Sequence, residues 1–295
     1  MNGLKYYIVD VFAESKYAGN QLAVFRNVHS LTTDMMQKIA REINYSETTF
    51  ILSETEQNGG YDVRIFTPKK ELPFAGHPTL GTAYIIQQEI IQKPIDKVML
   101  NLKVGQIPVT FSYKDKQANI LFMRQLPPTF GKVPDTAEIA EALSISINDI
   151  DNRFPIQEVS TGVPNFVVPL KNTAALKKCR INSDKYFRLI ENIDSKAILV
   201  FSPEPYTPEN DLSVRFFADY YGVPEDPATG SANGCLAGYL VEYRYFGEDR
   251  IDIRVEQGYE IDRPSLLYLK AGRSGDKITV NVGGRVIKVA EGEFV

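Results

Sequence analysis

The stretch VRIFTPKKELPFAGHPTLGTAYII (63–86) occurs twice in this chain, the second time as VRFFADYYGVPEDPATGSANGCLAGYL (214–240). Within the two copies HPTLGTA (77–83) lies over DPATGSA (226–232) without a gap, setting Pro78 over Pro227, Gly81 over Gly230, Thr82 over Ser231 and Ala83 over Ala232. Each copy reads as a short strand, a loop holding Pro and Gly, and a helix opening on a small, hydroxyl-rich turn. His77 over Asp226 breaks the symmetry in chemical type. Two related helix starts with different titratable groups predict a site between two halves of one molecule.

The repeat extends outward. DKYFRLIENIDSKAILVFS (184–202) lies over DMMQKIAREINYSETTFIL (34–52) at an offset of 150, and RIDIRVEQGYEIDRPSLLYL (250–269) echoes the paired strands VMLNLKVGQIPVTFSY (98–113). A period of half the chain is a duplicated domain, since solenoid units run to only about 20–50 residues. The boundary is expected around 114–125, giving an N-terminal half of 1–118 and a C-terminal half of 119–282. The last strand, 285–294, has no partner in the repeat, and 283–295 can join the first half. The repeat helices TLGTAYIIQQEII (79–91) and TGSANGCLAGYLV (229–241) carry one charge between them, Glu89. Helices that apolar are buried on most sides, and their Gly and Ala residues admit neighbouring backbone closely.

Composition bounds the function. The 295 residues suffice for two cores. A net charge of −4 supplies no basic field for nucleic acid or an anionic membrane. No apolar run approaches the ~20 residues of a membrane span, and MNGLKYYIVDVF enters a strand without a signal-like flank. Cys179 and Cys235 make no disulfide framework, so the expectation is a cytoplasmic protein with free thiols. Two histidines without a ligand-spaced cluster predict no metal.

A helix start offers unpaired N–H groups and a partial positive charge to a carboxylate or phosphate. Gly76-His77 and Gly230-Ser231 are therefore candidate anion-binding turns, with Ser231 and Thr82 as added hydroxyl donors or simple helix caps. His77 and Asp226 are proton carriers suited to acid–base work; Asp226 can alternatively cap its helix, with Pro227 in the first turn. Glu47 is the third candidate. Its partner at the offset of 150 is Ala197, so no need common to both halves accounts for it. A solvated glutamate at a strand edge is the plain alternative. Arg64 and Arg215, in matching VR-F strands, read as partners for buried carboxylates.

VDVFAESKYAGNQLAVF (9–25), SETTF (46–50), RIFTPKKELPFAGHPTLGTA (64–83), VRFFADYYGVPEDPATGSANGCLAGYL (214–240) and VEQGYEIDRPSLLYL (255–269) together resemble the phenazine-biosynthesis (PhzF-like) isomerase family along essentially the whole chain. The resemblance implies an α+β, diaminopimelate-epimerase-like fold: two pseudo-symmetric domains, each a mostly antiparallel sheet wrapped round a central helix. It implies Glu47 as the catalytic acid–base, with His77, Asp226, Ser231, Gly76 and Gly230 binding a small carboxylate substrate. It also implies no cofactor or metal, and a homodimer in some members. The related epimerases use two cysteines, one from each half; the matching positions here hold none. One carboxylate that returns the proton it took is the expected mechanism. The rival readings are an amino-acid racemase or epimerase with two opposed bases, and a non-catalytic metabolite-binding or interaction protein.

Overall fold

The computed structural model describes residues 3–295, which divide into two compact units, one of residues 3–124 with 283–295 and one of residues 125–282. In the first, β1 (Leu4–Val11) and β2 (Asn20–Phe25) pair antiparallel. After the helix α1 (Thr33–Ile43), β3 (Glu47–Ile51) adds parallel to β2, and β4 (Tyr61–Phe66) antiparallel to β3. A two-residue strand, β5 (Glu71–Leu72), folds back on β4. The central helix α2 (Gly76–Ile85) runs on into a π-helical turn, Ile86–Ile91. Next, β6 (Lys97–Leu102) pairs parallel with β4, and β7 (Gly105–Lys114) and β8 (Gln117–Arg124) complete a meander. The C-terminal strand Val286–Phe294 returns to pair antiparallel with β1.

The second unit repeats this order of pairings. It opens with β9 (Thr129–Phe130) and a short helix, α3 (Thr136–Ala142), that the repeat does not contain. Then β10 (Gln157–Ser160) and β11 (Pro164–Pro169) pair antiparallel. Following α4 (Thr173–Lys178) and α5 (Ser183–Ile190), β12 (Ile198–Ser202) adds parallel to β11 and β13 (Leu212–Phe217) antiparallel to β12. After the central helix α6 (Gly230–Glu242), β14 (Arg250–Gln257) lies parallel to β13, and β15 (Ser265–Ser274) antiparallel to β14. The sequence of antiparallel, parallel, antiparallel, parallel, antiparallel contacts is the same in both units.

The repeat helices are buried as their composition requires. In α2 eight residues are buried, and in α6 eleven, including Asn233. Strands wrapped round such a helix are covered on one face by it and on the other by a surface helix, so they read as nearly continuous apolar runs. In β2, Leu22 faces α2 while Ala23 and Phe25 join Phe50, Phe66 and the α1 residues Met36, Ile39 and Ala40 in an outer cluster. Gly81 sets the approach of α2: a Cβ there would stand 2.6 Å from Leu22 Cδ2 and 3.0 Å from Val11 Cγ2. Gly81→Ala is therefore expected to lower the melting temperature, because overpacking costs about 1–3 kcal/mol against a helix-propensity gain of about 1 kcal/mol. A rise in melting temperature would show that the wrapped strands yield.

The two sequence copies do not start their helices at equivalent points. α2 begins before His77, whereas Asp226 to Thr229 remain loop and α6 begins at Gly230. Thr82 is consequently a mid-helix residue, fully buried, whose hydroxyl donates to Thr49 Oγ1 at 2.8 Å. It pins α2 to β3 and neither caps the helix nor serves a ligand. Asp226 likewise is not the cap; Thr229 holds that position.

Candidate active site

In the first unit the chain turns sharply out of α1 through Asn44, whose left-handed backbone (φ 56°) closes the helix with its N–H on Ala40 O. Three residues later Glu47 opens β3, in register with Leu22 of the parallel neighbour β2. That register sets Glu47 beside Gln21, and the Gln21 backbone is hydrogen-bonded to the His77 imidazole in the first turn of α2. Glu47 and His77 are thus brought together by strand pairing and by the seating of α2. His77 Nε2 stands 3.5 Å from Glu47 Oε2, with side-chain exposures of 7% and 17%. At the offset position in the second unit Ala197 is fully buried.

Burial pushes the His77 pKa down from 6.5 to about 3, opposed by its bond to Gln21. Because that bond favours the protonated ring, the Gln21 group is an acceptor, its carbonyl. Nε2 makes no hydrogen bond to any described residue, so the Gln21 bond is made by Nδ1. The ring is neutral at physiological pH, with the Nε2 lone pair turned toward the Glu47 carboxyl.

This depression has a thermodynamic consequence. Below pH 6.5 the unfolded chain protonates His77 while the folded chain does not until about pH 3. The unfolded state therefore binds more protons in that window, and stability falls as the pH falls, by about 1.4 kcal/mol per unit at full effect. Glu71, held down to about 2 by its hydrogen bonds to Arg64, adds acid sensitivity only below its ordinary value of 4.5. Urea unfolding between pH 6.5 and 4.5 is expected to show a slope that His77→Gln abolishes; an unchanged slope in the variant would contradict the buried neutral ring.

In the second unit the candidates cluster at the loop leading into α6. Asp226 is buried at 9% exposure, and its Oδ2 accepts the Thr229 hydroxyl. Thr229 is the residue before the helix, yet its side chain caps nothing. Gly230, buried, and Ser231, half-buried, open α6; the Ser231 carbonyl accepts from Thr161 Oγ1 at 3.3 Å. Gly76, half-buried, opens α2 in the same way, next to His77. A threonine and an amide were not singled out from the sequence: Thr229, and Gln257 at the end of β14. Their signal is the broken alternation of β14, where Val255, Glu256 and Gln257 are buried in succession. Cys179 and Cys235 are free and buried, and burial pushes both thiols up, Cys179 to about 12. No helix of the described residues is long and apolar enough to cross a membrane.

The family described as phenazine biosynthesis-like protein matches residues 9–292. The chain is 35% identical over 291 residues to the trans-2,3-dihydro-3-hydroxyanthranilate isomerase of Pseudomonas aeruginosa, with 98% of each chain covered. It is 36% identical over 294 residues to the protein of the same name from Pseudomonas fluorescens, covering 98% of this chain and 99% of that one. Among solved structures, a PhzF-family phenazine biosynthesis protein of Bacillus anthracis superposes with a TM-score of 0.91 at 26% identity, each chain covered in full. A protein of Agrobacterium radiobacter described as a probable proline racemase shares the fold alone, with a TM-score of 0.61 at 10% identity over 99% of this chain and 93% of that one. The fold is the diaminopimelate-epimerase-like α+β fold that the family resemblance implies, and the chain belongs to the phenazine-biosynthesis-like (PhzF) family of isomerases.

Proposed function

We propose that this protein is a cofactor-independent isomerase in which Glu47 moves a proton between two carbons of a small carboxylate-bearing metabolite. The substrate class proposed is the one for which those relatives are named, a cyclic amino acid of the trans-2,3-dihydro-3-hydroxyanthranilate kind. The observation that carries this reading is the Glu47–His77 pair, a carboxyl 3.5 Å from an imidazole that burial keeps neutral. Neutral Nε2 is an acceptor, so a proton arriving on Glu47 meets a lone pair and not a competing cation. In the proposed cycle the Glu47 carboxylate takes a proton from carbon, becomes a carboxylic acid, and returns the same proton to another carbon on the same face. Gly230 and Ser231 are assigned to the substrate carboxylate, and His77, Gly76 and Asp226 to its amine or hydroxyl groups. A two-thiol racemase reading is disfavoured by the chain's own cysteines, which burial keeps protonated.

The test is proton NMR of trans-2,3-dihydro-3-hydroxyanthranilate with the enzyme in D₂O. Isomerisation with part of the transferred position still protium is expected, because one base carries the substrate's own proton. Isomerisation with complete deuteration would overturn the one-base cycle. An unchanged spectrum at high enzyme concentration would overturn the substrate class.

A further inference from the structure

The loop that carries Asp226 is held from below by a side chain on another strand. Gln257 is 1% exposed at the end of β14. Its Oε1 accepts from Thr229 N at 3.2 Å and from Asn233 Nδ2 at 2.8 Å. Its Nε2 donates to the Asp226 carbonyl at 2.8 Å and to Thr229 Oγ1 at 3.2 Å. The direction of these bonds follows from the backbone. An N–H can only donate and a carbonyl can only accept, so the amide oxygen must face Thr229 N and the amide nitrogen Asp226 O. Thr229 Oγ1, already accepting from Nε2, keeps its own proton to give, and gives it to Asp226 Oδ2.

Polarity therefore runs one way, from Gln257 Nε2–H through Thr229 Oγ1–H to the Asp226 carboxylate. The same chain of bonds explains why Thr229 does not cap α6, although threonine before a helix ordinarily turns its oxygen onto the amides of the first turn. Gly258 admits this arrangement. It has φ +81°, and a Cβ there would stand 2.6 Å from Pro227 O and 2.3 Å from Arg263 O, so only glycine lets the end of β14 lie against the loop.

We infer that Gln257 is a positioning residue of the isomerase: it locks the Asp226 carboxylate as an acceptor for a substrate ammonium or hydroxyl, and it withdraws the Thr229 hydroxyl from the first-turn amides it would otherwise cap, so that the Ser231 amide, beside that of Gly230, serves the substrate carboxylate. This rests on the substrate-binding roles proposed for Asp226, Gly230 and Ser231. Gln257→Glu keeps the length and both acceptor functions but cannot donate onward when ionised. Thr229→Val cuts the relay one step later, and Thr229→Ser preserves it.

The experiment combines three readouts on the full chain. Amide hydrogen exchange at Thr229, which donates to Gln257 Oε1, is compared in the wild type and in Gln257→Met, with the amides in the middle of α6 as the control for global unfolding. Affinity for anthranilate is measured by calorimetry, and KM and kcat in the isomerase assay. Gln257→Met is expected to raise exchange at Thr229 with the α6 control unchanged. Gln257→Glu and Thr229→Val are each expected to weaken anthranilate about tenfold or more, the loss of a hydrogen bond to a charged group, and to raise KM more than they lower kcat. Thr229→Ser is expected to restore both. A merely structural role would lower stability without moving the KM-to-kcat split or being rescued by serine. Unchanged exchange in Gln257→Met, or wild-type affinity and KM in Gln257→Glu and Thr229→Val, overturns the inference alone. A wild-type protein that neither binds anthranilate nor isomerises overturns the proposed function, and this inference with it.

Discussion

Glu47→Gln lowers kcat by roughly two to four orders of magnitude, the contribution of a positioned general acid–base, while the affinity for anthranilate stays within a few-fold. The glutamine side chain has the same shape, and its amide can still donate to the Nε2 lone pair of His77 across the 3.5 Å that separates the two groups. What it cannot do is hold and release a proton at neutral pH. Glu47 lies at the first residue of β3, half-buried, so the exchange perturbs no packed core. The measurement is turnover under saturating substrate with anthranilate titration alongside. Full activity in Glu47→Gln would remove the carboxyl from the mechanism; loss of binding equal to the loss of rate would make Glu47 a substrate anchor instead.

Arg215→Met destabilises the fold by about 3–5 kcal/mol, the cost of breaking a buried ion pair from one side. Arg215 lies on β13 with its side chain 3% exposed. Its Nε and Nη2 donate to the two oxygens of Glu225 at 2.9 and 2.7 Å, and its Nη1 to the carbonyls of Leu176 and Cys179 at 3.0 and 2.9 Å. Glu260 adds a second carboxylate at 3.8 Å. Removing the guanidinium strands two carboxylates and two carbonyls where water is scarce, whereas Glu225→Gln keeps one of the two acceptors, its amide oxygen, and leaves the Leu176 and Cys179 carbonyls paired, and so costs less. Arg215→Lys falls between, because an ammonium keeps the charge but cannot span the carboxylate and the carbonyls together. Urea denaturation ranks the three. A change below 1 kcal/mol in Arg215→Met would mean that the pocket fills with water and the cluster carries no stability.

Much of the first unit's site was legible before its geometry. The repeat isolates Glu47 because Ala197 stands in its place, and it isolates His77 because Asp226 does. It also misleads at Thr82, which aligns with Ser231 but lies six residues into its helix and is spent on Thr49. Sequence alignment keeps residues in step while a helix start slides along them, since the start depends on which residue the neighbouring strand can reach. Gln257 and Thr229 escaped for a related reason: the broken alternation of β14 marks a buried amide at Gln257, but its partners lie up to 31 residues away and nothing local names them.

The order of residues alone determined the duplication, the burial of the two uncharged helices and the glycines that let strands wrap them, because periodicity and volume act over a few neighbouring positions. Only the tertiary structure decided the chemistry. The neutral state of His77 comes from burial under its own unit and from the Gln21 carbonyl, and the one-way polarity at Asp226 comes from an amide on another strand. A proton's residence depends on desolvation and on donors brought in from distant parts of the chain, and those are properties of packing, not of spacing.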